Sequence, residues 1–555
     1  MEALRRDYSL AILRLRQVDG ADGVPVRVDF ELRLTGDLSK CNLAPVNGIE
    51  RLTDPPPEVW LDSSTQVKPV GPTFEPGNVD RVVTRFSVTT QEFGLPNDMS
   101  EADALRALAR GPLDVASDAV QRAVMKLMPQ FRAEDMARFA RRVSWLRSPR
   151  LSLPRAQTRH LAEALRLVRA KSNLWLEFGD PVGYLPLVPW EQILRPATDC
   201  PILRISPHTV KPLAAWRGLC AALVCSASSP HALPGRNELR ALVGAILANL
   251  PPASSLHIFP DVLSRGPIED AITTFGEPTD ERTVTVHIPP GLADARTMER
   301  AGAPWSDYPW TAWVTRTLQG EAVDLLHILA RGVFPADGML IARDPGSDAT
   351  DHLLRVVTPT EIGEFLTHAG AWGIVLSSPS GKTSHLAVRM IADRLARNQP
   401  VLSIAHDVLS DRDATALGAI YRFLRTEDSK APADTAGTAI YCHPAWTGEI
   451  PSARTPGDPV FDAYQELESM ARAVAEQPGP TPTWLAATQR IIEQTVARYV
   501  QTDASTGGDP ALQRGIAETL RVLQGVITDN IAASRVSAST TTSSQEGAHN
   551  AESGH

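Results

Sequence analysis

The chain reads as an α/β protein: a mostly parallel sheet flanked by helices, with a smaller N-terminal α+β module and a C-terminal helical extension. Three observations predict this. Short apolar runs alternate with helix-length segments from about residue 170 to 445, the pattern of βα units on a parallel sheet. Ahead of them, two stretches alternate apolar and polar residues across the turn Asp19-Gly20-Ala21-Asp22-Gly23, which marks a hairpin. Behind them the strand signal stops, and apolar residues recur at helical spacing.

In order, residues 8–16 and 24–34 predict the hairpin, residues 53–78 are a Pro/Gly-rich loop, and residues 79–90 add a strand. Helical patterns follow over 101–110, 112–127, 133–146 and 155–171. Strands are predicted at 174–178, 201–205, 218–225, 255–259 and 283–288, with a helix at 237–250. The apolar run Val323 to Leu329 ends on Ala330-Arg331-Gly332. Thr358-Pro359-Thr360-Glu361 is a capping box that opens a helix. The run Ile374 to Leu376 leads into Ser377-Ser378-Pro379-Ser380-Gly381-Lys382-Thr383, then a long helix, then Val401 to His406. Helices are expected over 458–476, after Thr481-Pro482 and after Asp509-Pro510, with a disordered Ser/Thr/Gly-rich tail from about residue 536. The expected units are therefore 1–150, a recognition module, 151–445, the sheet domain, 446–535, the helices, and 536–555, the tail.

At 555 residues the chain exceeds one ordinary core, and two or three domains are expected. Hydrophobic residues make up 43% and charged residues 21%, with a mean hydropathy of −0.13, the composition of a globular protein. The formal net charge of −9 argues against a broad nucleic-acid footprint. Five scattered cysteines without a CxxC pair indicate neither a zinc cage nor a disulfide framework and favour a reducing cytoplasm. The N-terminus has no signal-peptide core, and no apolar segment is long enough to span a bilayer. No cofactor, metal or membrane partner is expected.

Loops after the carboxyl ends of parallel strands carry chemistry in such sheets. Two are expected here: Arg331-Gly332 and Ser377 to Lys382. Three features in this order resemble the CHAT family, caspase-like peptidase domains found mostly in bacteria. Pro189-Trp190-Glu191, within Leu185 to Glu191, is similar to the family's Pro-Trp-Glu motif. Val323 to Gly332 is similar to its strand bearing a first His, here His327, and then a His-Gly. Ile374 to Gly381, with the helix-strand that follows, is similar to its catalytic strand. The match spans about residues 170–445 and implies a caspase-like sheet.

The resemblance also implies a His where Arg331 stands before Gly332, and a Cys near Pro379. A caspase-type mechanism needs a thiol nucleophile and an imidazole that exchanges a proton near neutrality. Arginine stays protonated and proline has no nucleophile. No cysteine lies between Cys225 and Cys442. The resemblance thus implies a pseudopeptidase that recognises or scaffolds a protein or peptide, such as an associated peptidase, in a conflict or regulated-proteolysis system.

Two enzymatic alternatives are weighed against this. Ser377, Ser378 or Ser380 could replace the thiol with His327 as base, but the sequence places no convincing base beside a serine. Residues 376–383 approximate a phosphate-binding loop through Gly381, Lys382 and Thr383, but Leu376 occupies the first glycine position. Asp407 and Asp411 read as solvated or capping charges, and Cys442-His443 as an ordinary strand end. Trp305, Trp310 and Trp313 read as packing residues, or as the rim of a binding groove.

Overall fold

The computed structural model describes residues 9–19, 25–36, 81–89, 153–166, 173–179, 185–208, 210, 218–227, 233–273, 282–290, 309–333, 338–346, 354–379, 382–425, 431–432, 437–449, 459–475, 481–506 and 510–549. The loop expected at 53–78, the helices expected between 101 and 146, and Trp305 lie outside these residues.

The hairpin strands β1 (Ser9–Asp19) and β2 (Pro25–Gly36) are followed by β3 (Arg81–Thr89) and helix α1 (Arg155–Leu165). The first core strands are β4 (Leu174–Gly179) and β5 (Ile202–Ile205), with the short helix α2 (Trp190–Ile193) between them. Next come β6 (Cys220–Cys225), α3 (Arg236–Asn249), β7 (Ser255–Pro260), α4 (Val262–Ile272), β8 (Thr283–Val286) and α5 (Pro309–Thr317). The central stretch runs β9 (Leu325–Leu329), β10 (Arg331–Val333), β11 (Gly338–Ala342), β12 (Leu354–Val357), α6 (Pro359–Ala369), β13 (Gly373–Ser378), α7 (Lys382–Asn398), β14 (Leu402–Asp407), α8 (Thr415–Phe423) and β15 (Thr438–Cys442). Three helices close the chain: α9 (Pro459–Ala475), α10 (Thr483–Thr506) and α11 (Pro510–His549).

Twelve strands form one sheet in the order β3-β2-β1-β4-β5-β15-β14-β13-β9-β6-β7-β8. The six strands from β14 to β8 are mutually parallel. Direction reverses at the antiparallel pair β14–β15, after which β15, β5, β4 and β1 run parallel to one another. β1 aligns residue for residue with β4, Ala11 opposite Leu174 through Arg16 opposite Gly179. The hairpin therefore extends the large sheet.

Both faces of the central strands are covered. Leu326, Ile328, Ile374, Leu376 and Ala405 face α6 and α7, while Leu325, Leu329, Val375, Leu402 and Ile404 face α3 and α8. This two-sided burial explains why β9 and β13 read as continuous apolar runs instead of alternating. The capping box on α6 forms as its sequence dictates: Thr358 Oγ1 accepts from the Glu361 amide, and Glu361 Oε2 accepts from the Thr358 amide. Gly370, in the left-handed region at φ 76°, ends the helix, as its missing Cβ permits.

The structure bears on three sequence expectations. Arg331-Gly332 is not a loop but the strand β10, which with β11 and β12 makes a separate three-stranded antiparallel sheet. β13 covers 373–378, as the strand pattern there predicts, so Ser377 and Ser378, also read as the start of the 377–382 loop, are its last two residues. The tail expected to be disordered from residue 536 is helical to His549: no proline follows Pro510, and extending an existing helix avoids the cost of a new nucleus. Among the described residues no helix is long and apolar enough to cross a membrane.

Candidate functional site

Side chains singled out from sequence fall into two buried polar clusters on opposite faces of the sheet, one at the carboxyl ends of β9, β13 and β14 and the other around α2, β5, β15 and α7. On the α8 face, pairing of β13 with β9 and β14 sets the first cluster. Register places Ser377 opposite Leu329 and His406, and Val375 opposite His327, so His327, Ser377 and His406 share one face. Ser377 Oγ lies 2.7 Å from His327 Nε2 and 2.8 Å from His406 Nδ1. His327 Nδ1 is 3.0 Å from the Tyr421 hydroxyl on α8, and His406 Nε2 is 3.0 Å from Asp411 Oδ2. Asp411 also accepts the amides of Ala416 and Leu417, at 3.0 and 2.9 Å, fixing the start of α8.

The donor and acceptor inventory gives this chain one direction in which both imidazoles are neutral. Tyr421 donates to His327, His327 Nε2–H to Ser377, Ser377 O–H to His406, and His406 Nε2–H to Asp411. Burial, and secondarily His406, holds the His327 imidazole down at about 3, and burial pushes the Tyr421 phenol up. For Asp411 burial acts upward, but the hydrogen bonds from His406, Ala416 and Leu417 outweigh it and set the carboxyl below its ordinary value.

A serine with two imidazoles in reach, one of them backed by a carboxylate, has the elements of a nucleophilic triad. The sequence reading found no base beside a serine, and this is corrected: His327 and His406 are both there. Access is what is missing. Ser377 and His406 are 0% exposed, and His327 and Tyr421 are each 1% exposed. Asp411 is buried and bonded rather than solvated. Asp407 is likewise buried, accepting from the Leu409 amide and the Ser410 hydroxyl.

The positions where the resemblance expects a catalytic pair lie beside this chain. Arg331 is half-buried at the start of β10, and burial lowers its guanidinium without removing its cationic character near neutrality. Pro379 is buried just past β13. Gly332 donates its amide to Ser384 Oγ at 2.7 Å, and Ser378 Oγ donates to the same oxygen at 2.6 Å. Glycine is required at 332 because a Cβ there would stand 2.3 Å from the Ser384 carbonyl oxygen and 2.9 Å from Ala387 Cβ. Gly332→Ala is therefore expected to push β10 off α7 and to cost about 1–3 kcal/mol, read as a lower urea midpoint. An unchanged midpoint would contradict this contact. Ser380 and Gly381 lie outside the described residues, as do the side chains of Lys382 and Thr383.

The second cluster lies on the α7 side and explains Pro189-Trp190-Glu191. Pro189 leads into α2. Trp190 is fully buried, donates Nε1–H to the Leu185 carbonyl at 2.8 Å, and meets Phe30 of β2 edge-on with centroids 5.8 Å apart. Glu191 takes Arg204 of β5 in a two-pronged bond, at 2.7 and 3.1 Å, and Arg389 of α7 at 3.3 Å. Arg204 also donates to the Pro186 and Val188 carbonyls and to the Tyr441 hydroxyl of β15. Burial works against the Arg204 charge, but Glu191 and Tyr441 more than offset it and raise its guanidinium, whereas burial prevails at Arg389 and lowers it. Burial and the neighbouring Arg389 keep His385 well below the ordinary histidine value, consistent with its Nε2 accepting from Arg389 Nε at 2.7 Å.

Sequence reading missed Arg204 and Arg389. The available signal was an arginine inside the apolar run Ile202-Leu203-Arg204-Ile205, which demands a buried acid. Trp310 and Trp313 are core residues, 1% and 7% exposed, with Trp310 Nε1 bonded to the Ala342 carbonyl. Cys442 ends β15, and His443 accepts the Ala445 amide as the cap of a short turn. Burial raises the thiols of Cys220, Cys225 and Cys442, so none is an activated nucleophile. Among the described residues no group of three or more metal-ligating side chains occurs.

No protein-family model matches the chain, and neither does any curated protein or any solved structure. What the fold defines is an α/β protein with a mixed, mostly parallel twelve-strand sheet and a small antiparallel sheet beside it.

Proposed function

We propose that this chain is a recognition or scaffolding protein built on a caspase-like sheet of the CHAT type. On this reading it holds a protein or peptide, such as an associated peptidase, and does not cut it. The observation that carries the reading is the state of Ser377: the serine with bases in reach is fully buried, and its hydroxyl is committed to His406. A nucleophile must reach a substrate carbon at about 3–3.5 Å, and this one is enclosed by its own partners. Arg331 and Pro379, where the resemblance expects base and thiol, supply neither.

The second reading, a serine peptidase, is favoured by one specific feature, the Ser377–His406–Asp411 geometry. It would require β13, β14 and α8 to part. A fluorophosphonate probe followed by peptide mapping, with a broad peptide library assayed in parallel, separates the two. The expected outcome is no adduct at Ser377 and no cleavage by wild type, with some library peptides retained intact. An adduct at Ser377, and cleavage that disappears in Ser377→Ala, would replace the holding function with a serine mechanism.

A further inference from the structure

A second site lies at the other end of the same strands. Asp324 precedes β9, Ala371 and Trp372 precede β13, and with Thr481, Arg490 and Glu493 they line a cleft between the amino ends of the strands and α10. Strands of five or six residues place it about 17–20 Å from Ser377 and Arg331, so it is independent of the site discussed above.

Arg490 is 5% exposed. Its Nη2 donates to the Ala371 carbonyl, while its Nη1 is buried without a hydrogen-bond partner. The nearby acids are already engaged. Asp324 accepts from the Cys220 amide at 2.9 Å and from Trp372 Nε1 at 3.2 Å, and Glu493 accepts from the Tyr464 hydroxyl at 2.7 Å. Burial alone lowers the Arg490 guanidinium, to about 10. A buried guanidinium N–H left without an acceptor is destabilising, and an anion in the cleft would relieve that.

We infer that this cleft binds a monocarboxylate, which takes the free Nη1 of Arg490 and lays a small apolar body against Ala371 and Trp372. A guanidinium edge fits a carboxylate. Two acidic side chains in the same lining disfavour a dianion such as phosphate. A free short-chain acid and the C-terminal carboxylate of a peptide present this same chemistry.

The test is thermal unfolding of the full chain at constant ionic strength. It is titrated with propionate, propionamide or phosphate, and with an alanine-terminated peptide in free-acid and amidated forms. Propionate should raise the melting temperature saturably, and propionamide and phosphate should not. A response to the free-acid peptide at tenfold or more lower concentration than propionate identifies the peptide terminus as the source, and the reverse order identifies the small acid. Arg490→Met should weaken the response at least tenfold. If that variant does not fold, Ala486→Glu serves instead. Residue 486 lines the same cleft and is partly exposed, and a glutamate four residues before Arg490 supplies the anion internally, so propionate should lose its effect. A response shared by propionamide or phosphate, an unchanged response in either folded variant, or no saturable response in wild type overturns the assignment.

Discussion

Glu191→Ala is expected to be the most damaging single substitution in the sheet domain, at about 5 kcal/mol or more. Removing one partner of a buried ion pair typically costs about 3–5 kcal/mol, because the other charge is left uncompensated. Here one carboxylate serves two guanidiniums, Arg204 at 0% exposure and Arg389 at 1%. Asp393 and Asp407 act on them only as weaker, longer-range charges. A loss of that size rivals the whole stability of many domains, about 5–15 kcal/mol, so the variant should be largely unfolded or recovered only in aggregates. The triple variant Glu191→Leu, Arg204→Met, Arg389→Met distinguishes charge from packing. Replacing all the charges by apolar groups of similar size is often neutral or stabilising, so it should recover most of the loss. A soluble Glu191→Ala protein with a near-native denaturation midpoint would show that the cluster is not what joins α2, β5, β15 and α7.

The second large effect is expected at Asp411. Asp411→Ala strands three donors at once, His406 Nε2–H and the amides of Ala416 and Leu417. Each unsatisfied buried donor costs about 1–3 kcal/mol, and partial solvation of the helix start keeps the expected sum near the lower end, about 3–4 kcal/mol. The pH dependence has a definite sign. The folded carboxyl lies below its ordinary value, so the unfolded chain takes up the proton first. The stabilisation is complete above the unfolded value of about 3.9 and is lost as pH falls through the lower folded value. Urea denaturation should therefore show a constant gap between wild type and Asp411→Asn from pH 8 to pH 5. The gap should narrow below about pH 4. A gap that instead shrinks between pH 8 and pH 6 would place the titrating group elsewhere in the chain of hydrogen bonds.

Strand and helix positions were legible where burial is simple. The apolar runs ending at Leu329 and Leu376 are covered on both faces, and their composition says so. Thr358 and Glu361 carry their cap in four residues. What the sequence hid is what depends on neighbours distant along the chain. Ser377 and His406 become partners only once β13 and β14 are laid side by side, and His327 joins them only by the register of β9. Asp411 read as a solvated or capping charge; it does hold the first amides of α8, and what stayed hidden is that its other partner, His406, belongs to the Ser377 chain. Pro189-Trp190-Glu191 stood out as a motif, yet its purpose lies in Arg204 and in Arg389, 198 residues from Glu191. Local pattern reports the period of an element and its burial, whereas polar networks follow from topology.

The parallel alignment of β1 with β4 has a bearing on how the chain is made. Residues 11–16 find their partners only when residues 174–179 exist. During synthesis at about 5–20 residues per second, the hairpin thus waits roughly ten to thirty seconds with one edge of β1 unpaired. Closing so long a loop is entropically slow, and an open strand edge is a template for the wrong neighbour. A nascent chain stalled short of residue 174 should accordingly depend on chaperones, and one released beyond residue 179 should depend on them less.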